Sequence, residues 1–194
     1  MQYDHYLFFL LFLFTMSWPQ LFKIVLSGTY DRYKFAEHKR DLHKKTSLYS
    51  SVLHFGVLGG NIKTMKYLIA QGVNIDERNV YGETPLHWCC KEGNIEIAKL
   101  LIANGCDMKV KDCDGNTPLH WAAEYNQHEI VSYLLSQNVE VNNKNSEGNT
   151  PMELAALNGC FETISILNLN ITKSSNSKTT TFLSLPISTA HIIV

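Results

Sequence analysis

Three stretches of the chain read almost alike: T-P-L-H-W-C-C over residues 84–90, T-P-L-H-W-A-A over residues 117–123 and T-P-M-E-L-A-A over residues 150–156. Each starts 33 residues after the last. One step back from Thr84 lies Ser51, opening S-V-L-H-F-G-V, where the His, the large apolar residue after it and the small residue keep their places. A further step lands on Trp18, where the pattern is gone. Gly82, Gly115 and Gly148 stand two residues before each Thr, and Leu68-Ile69, Leu101-Ile102 and Leu134-Leu135 share another column. Asn126 and Asn138 stand where other copies have Gly, a substitution suited to a left-handed backbone. A repeat of this length marks units that cannot bury an apolar face alone and stack to do so.

Thr84, Thr117 and Thr150 each precede a Pro, which predicts an N-cap followed by a first-turn proline. A second helix follows in each copy, with apolar residues at helical spacing such as Ile130, Val131, Leu134 and Leu135. Asp114-Gly115 and Glu147-Gly148 supply turns between units. This pattern resembles the ankyrin repeat over residues 46–168. The resemblance implies an all-α solenoid of four units, each a β-turn followed by two antiparallel helices. The last copy, residues 145–168, departs from the pattern: Glu153 replaces His, Asn168 sits in a Leu column and Ile171 replaces the turn Gly. It reads as a cap with one face to water.

Composition agrees with a folded chain. Hydrophobic residues make up 45%, charged residues 18%, and the net charge is −1. That balance gives no global basic field for nucleic acid. The charge is unevenly placed: +3 over residues 1–45, −6 over residues 46–168 and +2 over residues 169–194. Five cysteines without paired spacing make neither a disulfide framework nor a zinc site. Cys89, Cys90 and Cys106 fall in small-residue columns suited to buried thiols, Cys113 falls in a turn and Cys160 starts a second helix.

His54, His87 and His120 form a ladder that offers metal ligands at first sight. Packed units stand about 10 Å apart, too far to share a metal bound at about 2 Å. The resemblance gives these His the task of tying the Thr-Pro turn. Trp88 and Trp121 share a column with Phe55 and Leu154 and read as inter-helix packing. No phosphate loop, H-E-x-x-H or G-x-S-x-G occurs, so no catalytic residue, metal or cofactor is expected.

The resemblance implies a concave groove lined by turn tips and first-helix ends. The second copy supplies Arg78, Val80, Tyr81 and Glu83 at the tip, with Lys91 and Glu92 at the helix end. The third supplies Lys111, Cys113, Asp114 and Asn116, then Glu124 and Tyr125. The fourth supplies Lys144, Ser146, Glu147 and Asn149, then Leu157 and Asn158. Tyr81 and Tyr125 are the expected anchors, since Tyr is enriched among binding hot spots. The acids favour a basic or mixed-charge partner segment. Leu134 with Glu140-Val141-Asn142 is similar to a site of ankyrin asparaginyl hydroxylation, against the plainer reading of a turn Asn.

The ends differ from the middle. Residues 1–29 contain the apolar stretch Tyr6–Leu26, which reads as a membrane anchor, a signal peptide or a flap on the first repeat. Residues 30–45 read as a basic linker, and residues 169–194 as a disordered Ser/Thr-rich tail without helical pattern. The terminal Ile192 and Val194 are similar to a PDZ ligand, against a bland hydrophobic end. The expected function is a cytoplasmic, non-catalytic adaptor or scaffold that binds another protein. The alternatives are the cytosolic regulatory part of a membrane-anchored protein, or a fragment of a larger ankyrin-containing enzyme or channel.

Overall fold

The computed structural model describes residues 20–179. Tyr6–Pro19 of the apolar stretch, and the terminal Ile192 and Val194, lie outside the described residues. Ten α-helices follow one another among the described residues, with no strand. They are α1 (Gln20–Leu26), α2 (Arg32–Glu37), α3 (Val52–Gly59), α4 (Ile62–Ala70), α5 (Pro85–Glu92), α6 (Ile95–Ala103), α7 (Pro118–Glu124), α8 (His128–Ser136), α9 (Pro151–Leu157) and α10 (Phe161–Thr179).

The helices form two layers. The first helices α3, α5, α7 and α9 pack each on the next, and α4, α6, α8 and α10 form a second layer behind them. Leu53, Leu86 and Leu119 are buried from one layer, and Leu68, Leu101 and Leu134 from the other. These columns are the ones that keep their apolar residues in the sequence, so the period and the core are one fact.

The His ladder fixes the start of each first helix and joins it to the next unit. His87 Nδ1 accepts the Thr84 backbone N–H at 3.1 Å. That leaves the proton on Nε2, which donates to Asn116 O at 3.2 Å. His54 and His120 repeat the arrangement with Ser51 and Glu83, and with Thr117 and Asn149. Glu153 does the local half of this work in α9: its Oε2 accepts the Thr150 N–H at 2.6 Å. A carboxylate closes the N-cap as well as an imidazole does. It needs no second nitrogen, since no further unit follows among the described residues.

Two expectations for the ends, the linker and the helix-free tail, are corrected, while the packing of α1 on α3 agrees with the flap among the three readings of the apolar stretch. The pattern that stops at Trp18 continues structurally, because α1 lies 33 residues before residues 53–59 of α3 and packs on that helix. Leu21, Phe22 and Val25 of α1 are buried, each worth about 2 kcal/mol of transfer free energy. The Phe22 and Phe55 rings meet edge to face at 5.2 Å. Gly59 makes the seat: a Cβ there would stand 2.1 Å from Val25 O. Residues 20–26 pack into the stack, and no helix among the described residues is long and apolar enough to cross a membrane. The basic linker is folded too. Phe35 and Leu42 are buried, and the Phe35 ring lies 5.2 Å from that of Tyr67. At the other end α10 runs through Thr179, into the tail expected to lack a helix. Ile171 stands where Gly72 and Gly105 end the earlier second helices, so the backbone meets no left-handed stop there.

Candidate protein-binding groove

The tips are built by one side chain per unit. Asn79 Oδ1 accepts the backbone N–H groups of Tyr81 and Glu83 at 2.9 and 3.0 Å. Asp112 does the same for Asp114 and Asn116, and Asn145 for Glu147 and Asn149. The next turn residue is Gly82, Gly115 or Gly148, all at positive φ. In the first unit Tyr49 takes that place at φ 59°, an uncomfortable backbone for an aromatic residue.

Each tip is bonded to its neighbour. Val80 N donates to Leu48 O at 3.0 Å, Cys113 N to Tyr81 O at 2.8 Å and Ser146 N to Asp114 O at 2.9 Å. Arg78 Nη2 donates to Lys111 O at 2.7 Å, and Lys111 Nζ to Lys144 O at 2.9 Å. Arg78 and Lys111 thus brace the row of tips while remaining exposed. Behind the helices a second row of side chains crosses the unit boundaries. Asn61 Nδ2 donates to Gly28 O, Asn94 Nδ2 to Val57 O and Gln127 Nε2 to Lys91 O, at 2.7, 2.8 and 3.0 Å. The result is a tip row whose backbone has few free hydrogen-bonding groups left to rearrange.

The structure places the expected groove residues in three settings. Val80 and Tyr81 project from the tip, 44% and 54% exposed. Cys113, Asp114, Lys144, Ser146 and Glu147 are exposed along the same row, and Asn116 and Asn149 lie half-buried beneath it. Lys91, Glu92, Glu124 and Tyr125 are half-buried at the first-helix ends. Leu157 and Asn158 are exposed at the end of α9, Leu157 at 73%. Asn142 is exposed, with its backbone N–H donating to Glu140 Oε1 at 3.1 Å.

Between helices and tips lies an aromatic floor. Trp88 and Trp121 are packed against the core yet only partly buried. Trp88 Nε1 donates to Glu83 Oε2, and Trp121 Nε1 to Asp112 Oδ2, both at 2.8 Å. The indoles therefore span the corner between first helix and tip. Tyr125 lies 6.0 Å from Trp121, ring to ring. The Lys91 ammonium stands 5.8 Å from the Trp121 ring centre and 5.6 Å from that of Tyr125. Burial raises the Tyr125 phenol above its usual range, and Glu124, Glu83 and Glu92 raise it further. Burial also raises Glu124, while Lys91 draws it down.

Sequence reasoning found the Trp column as packing but missed its acid partners, and it missed the Asn79/Asp112/Asn145 and Asn61/Asn94/Gln127 columns. Both of these polar columns carry a 33-residue signal of hydrogen-bonding residues at one register, whereas Glu83 and Asp112 share no column. Burial pushes the Cys106 thiol up to about 12 and the Cys89 and Cys90 thiols far above their usual range. Both nitrogens of each ladder His are already bonded.

The family model described as ankyrin repeats (3 copies) matches residues 21–112 and 99–177. No curated protein matches the chain.

Proposed function

This chain belongs to the ankyrin-repeat family, and we propose that it works as a non-catalytic adaptor that captures a partner protein in the groove between its tips and its first helices. Ankyrin repeats are in general protein–protein interaction modules. The observation that carries the reading is the pairing of a braced tip row with projecting apolar side chains. Val80 and Tyr81 stand out into solvent from a backbone held by Asn79 and by the neighbouring tips. A surface that is already ordered spends little binding energy on ordering itself. The acid-rich floor suits a basic or mixed-charge segment. Five free thiols, four of them buried, suit a reducing compartment such as the cytosol.

Affinity capture from cell extract tests this, with the full chain as bait beside its Tyr81→Ala/Tyr125→Ala variant. The expected outcome is a protein retained by the first and lost from the second, with unchanged circular dichroism. Loss of the two anchors should weaken binding by about 2 kcal/mol or more. Equal retention by both baits would refute the groove as the binding surface.

A further inference from the structure

The Lys91 side chain holds an unusual place. Its ammonium lies within cation–π range of two rings at once, 5.8 Å from Trp121 and 5.6 Å from Tyr125. The Trp121 ring is not free to turn away. Trp121 is tied through its indole N–H to Asp112, and the same carboxylate holds the N–H groups of Asp114 and Asn116. The His87 ring also meets Trp121 near-perpendicularly, at 5.8 Å between ring centres. Glu83, Glu92 and Glu124 all act on Tyr125, three acidic side chains against the one lysine.

A lysine uses only part of what this corner offers. A guanidinium is planar and stacks on a ring face while its N–H groups reach a carboxylate. It also carries a forked donor set that matches a carboxylate in a bidentate pair. Tyr125 presents the ring, and its chain neighbour Glu124 a half-buried carboxylate.

We infer that the Trp121–Tyr125 pair is an arginine seat which Lys91 occupies in the free protein, and that the partner is a basic segment presenting one arginine to it. This rests on the groove reading above and names the chemistry of its partner. On binding, the guanidinium takes the place of the Lys91 ammonium, which moves out to solvent. Lys91 is then a placeholder: it keeps the rings covered and competes with the incoming cation.

The test uses the full chain and four capped peptides, hexa-arginine, hexalysine, hexacitrulline and hexaglutamate, at about 150 mM salt, where long-range attraction is screened. Binding is followed by the indole N–H signals in nitrogen-15 NMR, with the Trp121 signal assigned from Trp121→Phe. Hexa-arginine should shift the Trp121 signal more than those of Trp18 and Trp88. It should bind at least about tenfold tighter than hexacitrulline and about threefold tighter than hexalysine. Lys91→Met, which keeps the stem and removes the charge, should tighten hexa-arginine about threefold. Lys91→Gln should act the same way, and Glu124→Gln should weaken binding. Weaker or unchanged binding by both Lys91 variants would overturn the seat. So would equal affinity for arginine and citrulline, or a Trp121 shift with hexaglutamate. A captured partner that needs Tyr81 yet ignores Lys91→Met and competing hexa-arginine would overturn the seat and leave the groove reading standing.

Discussion

Acidification should loosen this array from about pH 6.5 downward. Burial holds the imidazoles of His54 and His87 down to about 4 from an ordinary 6.5. In the unfolded chain both take up a proton as pH falls through 6.5; in the folded chain neither does so until about 4. The unfolded state therefore binds more protons throughout that window, and stability falls with pH across it. Linkage gives about 2 kcal/mol lost per His between pH 7 and pH 5, or about 4 kcal/mol for the pair. His120 is shifted in the same direction by its burial and adds to the loss. Glu124, raised by burial, works the other way near its own titration and trims the total. The bonding explains why the proton is refused: Nδ1 of His87 is occupied as an acceptor by the Thr84 N–H, so protonation would set two donors against each other. Urea unfolding followed by far-ultraviolet circular dichroism at pH 7, 6 and 5 measures the effect. The free energy of unfolding should drop by several kcal/mol over the two units, with the steepest loss below pH 6.5. A flat profile from pH 7 to pH 5 would refute the buried neutral ladder.

Other perturbations probe other parts of the stack. Leu101→Ala empties a fully buried position and should cost about 2–5 kcal/mol in the same unfolding assay. Tyr49→Gly should raise stability by about 1 kcal/mol, because Tyr49 holds the left-handed conformation that glycine adopts in the other tips. Gly59→Ala would drive a Cβ to 2.1 Å from Val25 O, so it should lift α1 from α3. The expected signs are a loss of about 1–3 kcal/mol and faster limited proteolysis between α1 and α3. Unchanged cleavage in that variant would mean that α1 does not dock on Gly59.

The repeated core was legible because its signals are local. Thr before Pro, His three residues after Thr and Gly in the turn each act within one turn of chain, and each recurs in register. The N-terminal helix pair was legible only as one of three readings, a flap on the first repeat, for the opposite reason. Leu21 stands in the His column and Trp18 in the Thr column, so the sequence carries no capping signal there, and the burial of Leu21, Phe22 and Val25 seats α1. Its partner signal lay elsewhere, in a glycine at position 59 where the later copies carry Glu92, Tyr125 and Asn158. The aromatic floor was half legible. The Trp column showed, but Trp88 takes its carboxylate from Glu83 and Trp121 from Asp112, which sit in different columns and break the period. The helical run beyond Leu169 escaped because the missing turn residue was read as the mark of a cap, not as the loss of a stop.

The His bonds across the units join residues a fixed distance apart in the chain: His54, His87 and His120 each reach a carbonyl 29 residues on. Such an array can change length without changing its joints. Removing residues 84–116 would bring Thr117 directly after Glu83. The His54 bond to Glu83 O and the His120 bond to Asn149 O would both survive, and Ser146 would find Tyr81 O where it now finds Asp114 O. Duplication would work in reverse. The number of units is thereby uncoupled from the integrity of the fold, and a lineage can lengthen or shorten the binding surface by whole steps while every seam is rejoined by bonds the protein already makes.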